Sequence, residues 1–147
     1  MIEIISNPKS VYVPVHLQPV YRVSQILLIL NYNTGSSKSA TISLLQTIAW
    51  AMRDEENFKI LMDYKEEKRH SLVPWCFEPA LDKALILALV NEYCESLVGG
   101  KIKLTKKGKK LIELIIKDNL FKTQITSLKK IGDVSKKLTE NQIWQVR

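Results

Sequence analysis

Cysteine is scarce: Cys76 and Cys94 are the only two in 147 residues. Two thiols cannot build the disulfide framework of a small secreted domain, so the sequence predicts a reducing, cytoplasmic location. Histidine is as scarce, with His16 and His70 alone, and no Cys-x-x-Cys or His-x-x-x-His spacing joins these four residues. That pattern argues against a zinc site. Five glycines and five prolines are too few for a low-complexity linker. No apolar run approaches the roughly 20 residues of a membrane span. The longest, Ala84 to Val90, has seven. Glu3, Pro8, Pro14 and Pro19 interrupt the first twenty residues, which therefore do not read as a signal peptide. Neither a membrane nor a metal is expected as a partner.

What is present fits one globular domain spanning 1–147, with 46% hydrophobic and 25% charged residues. The net charge of +7 is unevenly placed. Residues 1–100 hold nine Lys/Arg against eleven Asp/Glu, a net −2, whereas residues 101–147 hold thirteen against four, a net +9. Twelve of those thirteen are lysines. Arginine is the better bidentate reader of bases and phosphates. A lysine cluster instead suggests diffuse attraction to a nucleic-acid backbone or an acidic protein face. The alternative is a solvated face that serves only solubility.

Hydrophobic periodicity predicts a mainly α-helical chain with a small β-hairpin. Residues 1–19 read as an extended N-terminal segment, with Ile2, Ile4, Val11, Val13 and Val15 alternating between prolines. A helical part follows over 20–70. Its first helix, about Val20 to Asn31, contains Ile26-Leu27-Leu28-Ile29-Leu30, apolar all round and therefore central. Asn33-Thr34-Gly35 ends it, and Ser36 or Ser37 is placed to cap a second helix running to about Met52. Asp54 caps a third, to about Lys68, with Phe58, Leu61, Met62 and the Lys65 stem inward and Glu55, Glu56, Asp63, Glu66 and Glu67 outward. A connector over 70–78 leads to a fourth helix, Pro79 to about Tyr93. The pieces Leu97-Val98 and Lys101 to Leu104 flank Gly99-Gly100, which reads as a two-residue hairpin turn. Thr105 caps a fifth helix, about Lys106 to Lys117. A basic helical tail over 118–147 completes the chain, with a helix near Phe121 to Lys130, a break at Gly132 and a capping box at Thr139 and Gln142.

Helix, tight hairpin, then Leu104-Thr105-Lys106-Lys107-Gly108 opening another helix is the order of a winged helix, here over 79–117. The hairpin is the wing, and Gly108 permits close approach at the first turn of the next helix. In regulators of this fold the helix before the wing enters the major groove with polar side chains. Here that helix is Ala84-Leu85-Ile86-Leu87-Ala88-Leu89-Val90, apolar on every face. Leu85, Ile86, Leu89 and Val90 are accordingly candidate residues of a protein interface rather than base readers. Lys101, Lys103, Lys106, Lys107, Lys109 and Lys110 are the candidate contacts for DNA or another acidic partner. Lys106, Lys109 and Lys110 share a helix face at i, i+3 and i+4, and Lys101 and Lys103 share one side of a strand. Such a set would hold phosphates without reading sequence.

Catalytic signatures are missing. Gly35-Ser36-Ser37-Lys38-Ser39 hints at a phosphate-binding loop, but Ser37 stands where the second glycine belongs and no glycine stands where the first does. Cys76 and His70 have no local nucleophile signature, and no carboxylate pair sits in an apolar setting. The expectation is a protein that is not an enzyme, with no cofactor, no metal and no small-molecule substrate.

Tyr21-Arg22-Val23-Ser24-Gln25 leading into the apolar first helix, Leu44-Leu45-Gln46-Thr47-Ile48-Ala49-Trp50-Ala51-Met52, and the Leu-Thr-x-x-Gly wing form a more particular pattern. Over roughly residues 20–117 it resembles the middle component of bacterial three-component ABC systems, including the small subunit of Lamassu-type defence. The resemblance implies a non-catalytic accessory subunit in antiviral or anti-plasmid defence. Its partners would be an SMC-like ABC ATPase and an effector, often a nuclease, with contact to the DNA backbone as a further element. No catalytic residue carries over. The competing reading is a winged-helix transcription regulator that binds promoter DNA as a homodimer.

Overall fold

Helix α1 (Pro19–Tyr32) is the axis around which the rest is arranged in the computed structural model, which describes residues 19–66 and 79–134. Ile26, Leu27, Leu28, Ile29 and Leu30 are all fully buried. Five consecutive residues cover the whole circumference of a helix, so α1 has no solvent face there. It packs most extensively on α4 (Pro79–Val90) and also against α2 (Ile42–Ala51), α5 (Lys106–Lys117), α6 (Lys122–Ile131) and strand β3 (Ile102–Leu104). Burying each of these side chains contributes about 1.5–3 kcal/mol. The central position expected from the apolar run is therefore what the structure shows. Among the described residues, no helix is long and apolar enough to cross a membrane.

The molecule is mainly helical with one small antiparallel sheet, ordered β1-β3-β2. Strands β2 (Cys94–Ser96) and β3 form the expected hairpin, in register Cys94–Leu104, Glu95–Lys103 and Ser96–Ile102. The third strand, β1 (Ser39–Ala40), was not foreseen; it pairs Ser39 with Lys103 and Ala40 with Ile102. Ala40, Cys94, Ile102 and Leu104 are buried, while Glu95 and Lys103 face solvent. The turn also differs from the two-residue expectation. Leu97 donates to the Lys101 carbonyl at 2.7 Å and Gly100 to the Leu97 carbonyl at 3.1 Å, leaving a three-residue loop, Val98 to Gly100. Gly99 and Gly100 both have positive φ, +94° and +86°, which residues with a Cβ rarely adopt.

Local chemistry sets the helix starts. Ser36 and Ser37 do not cap α2; Gly35–Ser37 forms a short 3-10 turn, and the Thr41 side chain accepts from Leu44 N at 3.2 Å instead. The reason is the intervening strand, which takes up the residues between that turn and the helix. Asp54 caps helix α3 (Glu55–Lys65) by accepting from Asn57 N at 2.8 Å, and Glu55 and Glu56 suit the positive end of the helix dipole. Leu61 is its one buried residue, with Phe58 and Met62 packed partly against the core. Helices α4 and α6 fall close to their expected positions, although α4 ends at Val90, before Tyr93. The turn between α5 and α6 holds Asn119 and Phe121, each at φ +57°. Left-handed backbone at a residue with a Cβ costs about 1–2 kcal/mol, and here packing offsets it: the Phe121 ring lies 5.5 Å from that of Tyr21.

The expected extended segment (1–18 of it), the connector 70–78, and the capping box at Thr139 and Gln142 lie outside the described residues, as do His16, His70 and Cys76.

Candidate nucleic-acid and partner interfaces

The β2–β3 hairpin and α5 are joined by a compact set of bonds. The Thr105 side chain accepts from Gly108 N at 3.1 Å, capping α5 where the sequence placed the cap. Its hydroxyl also donates to the Glu92 carbonyl at 2.7 Å, and its backbone N–H to the Tyr93 carbonyl at 3.2 Å. Leu104 N donates to the Lys38 carbonyl at 2.9 Å. Gly108 lies so near Tyr93 that a Cβ there would stand 2.1 Å from the Tyr93 carbonyl oxygen. The close approach expected at this glycine is present.

All six candidate lysines are exposed. Lys101 sits at the end of the hairpin loop, Lys103 on the outer face of β3, Lys106 and Lys107 in the first turn of α5, and Lys109 and Lys110 one turn further. The first turn of α5 carries no acidic residue. Lysines at a helix N-terminus add to the positive dipole end rather than opposing it, so this corner concentrates positive potential. Two members are partly occupied within the chain. The Lys107 ammonium donates to the Asn91 carbonyl at 2.8 Å and stands 5.1 Å from the centre of the Tyr93 ring. Lys103 faces Glu95 across the ladder. An open groove of about 510 Å³ between hairpin and α5 places Glu92 and Glu95 beside Lys106 and Lys107. Lys109 and Lys110 lie outside that groove, one helical turn before the exposed Glu113, and Lys101 lies at the end of the hairpin loop.

The apolar candidates on α4 divide. Leu85 is 6% exposed and belongs to the core, and Leu89 is half-buried against it. Leu81, Ala84, Leu85 and Ala88 form the inward stripe that the 3.6-residue period turns toward α1. Leu85 is consequently not available to a partner. Ile86 (60% exposed) and Val90 (72%) do face solvent, joined by Leu87, which sequence reasoning had not singled out. The helix is thus neither buried all round nor polar outside: where a base-reading helix would present hydrogen-bonding groups, α4 presents Ile86, Leu87 and Val90.

The loop hinting at phosphate binding is otherwise engaged. Lys38, at φ +52°, donates from Nζ to the Asn31 carbonyl at 2.7 Å, at the C-terminal end of α1. Cys94 is buried, and burial pushes its thiol up to about 11. Among the described residues, no three His, Cys, Asp or Glu side chains gather as a metal site would require. Sequence reasoning missed Asn33 as a structural residue. It is fully buried, its Nδ2 donates to the carbonyls of Leu128 (2.9 Å) and Gly132 (2.8 Å), and Val134 N donates to its own carbonyl. A polar residue after a helix normally reads as a surface stop, and nothing local marked it as buried.

No protein-family model, curated protein or solved structure matches the chain.

Proposed function

We propose that this chain is a non-catalytic accessory subunit of a bacterial defence complex, joining an SMC-like ABC ATPase to an effector nuclease and touching the DNA backbone without sequence readout. In this reading α4, the β2–β3 hairpin and α5 form a winged helix to which β1 adds a third strand. The observation that carries it is the outward face of α4. Ile86, Leu87 and Val90 offer bases no hydrogen bond, yet an exposed apolar stripe suits a protein partner. The resemblance of residues 20–117 to the middle component of three-component ABC systems supplies the identity of that partner. Lys101, Lys109 and Lys110, with Lys106, supply a positive corner suited to phosphates. The transcription-regulator alternative needs polar groups on α4 that its outer face lacks, apart from the flanking Lys83 and Asn91.

Two measurements test the proposal. The proposal requires a coiled-coil ABC ATPase to be encoded beside this chain, and co-expression with it should give a stable complex that Ile86→Glu/Val90→Glu breaks; no such neighbour, no complex, or one indifferent to that double variant, refutes the subunit role. Duplex DNA binding should weaken with salt with a log–log slope of about −3 to −4.5 for three to five phosphate contacts, alike for unrelated sequences. Lys106→Glu/Lys109→Glu/Lys110→Glu should weaken every sequence equally. Strong discrimination between sequences would instead support the regulator.

A further inference from the structure

A second surface lies at the corner between α5 and α6, on the far end of α5 from the wing. An open groove of about 280 Å³ is formed there, its apolar lining supplied by Tyr32, Ile116, Leu120 and Ile125. Tyr32 and Ile125 are half-buried and anchored in the core, whereas Ile116 and Leu120 are 45% and 49% exposed. Lys122 and Lys129 edge the groove, and none of the described residues lining it is acidic. The Lys129 ammonium stands 5.8 Å from the centre of the Tyr32 ring, so a positive charge is fixed directly beside apolar surface. The backbone is bent to make this shape. With Asn119 and Phe121 both left-handed, Phe121 turns inward onto Tyr21 while Leu120 between them stays half-exposed. Asn119 closes α5 as a helix C-terminus commonly ends, its N–H donating to the Ile116 carbonyl at 3.1 Å and that of Leu120 to the Ile115 carbonyl at 3.0 Å.

We propose that this groove docks a short acidic peptide segment of a partner protein, with one or two apolar side chains seated on Ile116, Leu120 and Ile125 and flanking carboxylates held by Lys122 and Lys129. Charge complementarity selects this occupant. Besides the neutral Asn119 and Thr126, the polar groups of the lining are the ammonium groups of Lys122 and Lys129, so the groove accepts an apolar anchor between acidic residues and disfavours a basic one. Nucleic acid fits less well, because phosphates gain nothing from Ile116 and Leu120. This inference does not depend on the reading of the wing, which uses other residues.

The test is a selection of random 12-residue displayed peptides on the intact chain, counter-selected on Ile116→Ser/Leu120→Ser. The enriched peptides are then synthesised and titrated by fluorescence anisotropy. They should carry an apolar residue among Asp and Glu and bind with a Kd on the order of 10–100 µM, as a small interface allows. Ile116→Ser/Leu120→Ser and, separately, Lys122→Glu/Lys129→Glu should each weaken them at least about tenfold. The second pair guards against misfolding of the first, and duplex DNA binding should be unchanged in Ile116→Ser/Leu120→Ser. The proposal is overturned if no peptide is enriched over the counter-selected surface or if the enriched peptides are neutral or basic. It is equally overturned if duplex DNA or phosphatidylglycerol vesicles occupy the groove in a Leu120-dependent way.

Discussion

Replacing Gly108 by alanine sets two opposed effects against each other at one atom. Alanine is favoured over glycine inside a helix by about 1 kcal/mol, and Gly108 lies in the first turn of α5 at ordinary helical backbone angles. Judged on helix propensity alone, the substitution stabilises. The new Cβ, however, would stand 2.1 Å from the Tyr93 carbonyl oxygen, 3.1 Å from the Tyr93 carbonyl carbon and 2.7 Å from Leu104 Cδ1. Relief requires roughly 1 Å of movement to reach ordinary contact distance. Leu104 could rotate, but Tyr93 is backbone, tied to Thr105 N by a 3.2 Å hydrogen bond. Either α5 moves off the hairpin or that bond breaks. Overpacking of this kind costs about 1–3 kcal/mol and sometimes more, and a clash with main chain belongs at the upper end. A net loss of about 1–2 kcal/mol remains after the propensity gain, which lowers Tm by about 2–8 °C for a chain of this size. Urea and thermal unfolding of Gly108→Ala measure it. Gly99→Ala is the control: nothing lies within 4 Å of its Cβ, so only the cost of its +94° φ, about 1 kcal/mol, applies. A Gly108→Ala protein as stable as the parent would show that hairpin and α5 are not held at this distance in solution, and the reasoning fails.

Other perturbations separate structural from functional roles. Asn33→Ala should cost about 1–3 kcal/mol in urea unfolding, because the Gly132 carbonyl loses its side-chain donor and the Leu128 carbonyl keeps only that of Gly132 N; an unchanged midpoint would mean water replaces the amide. Lys107→Gln should lose up to about 1 kcal/mol, since its ammonium bonds Asn91 O and covers Tyr93, whereas Lys110→Gln should leave stability within about 0.5 kcal/mol. In a Cys76→Ser chain, Cys94 should resist iodoacetamide at pH 8 until the protein unfolds. Its thiol is neutral in both states below about pH 9, but above that the unfolded chain ionises first, so stability drops as pH rises toward about 11. Cys94→Ala should remove that part of the pH dependence.

Much of the architecture was written in local signals, and the exceptions have physical causes. The burial of α1 follows from five adjacent apolar residues, and the start of α5 from the Thr105 cap, which is completed at Gly108 N within four residues of sequence. Strand β1 was hidden because two residues carry no period, and its partners Ile102 and Lys103 lie more than sixty positions away. Serines before a helix favoured a cap, and only the distant pairing makes them loop and strand. The hairpin was visible in Gly99-Gly100, but its register was not: both glycines lie in a longer loop, and the first strand begins at Cys94. On α4, seven apolar residues in a row erase the difference between faces, so only the position of α1 reveals that Leu85 is inside and Ile86 outside. The positive corner was legible as composition, but the engagement of Lys107 by Asn91 was not. The α5–α6 groove depends on the left-handed Phe121, which no residue preference would suggest.

The central place of α1 also has a temporal side. It is made before the other described elements, yet those that sheathe it arrive late: α4 some sixty residues later, and α6 not until Ile131. At about 5–20 residues per second of synthesis, Ile26 to Leu30 wait on the order of 5–20 s before their final covering leaves the ribosome. A greasy helix left bare for that long is a ready target for aggregation or for a chaperone. Slowing elongation should therefore lower the yield of folded chain more steeply than it would for a protein whose first helix is amphipathic.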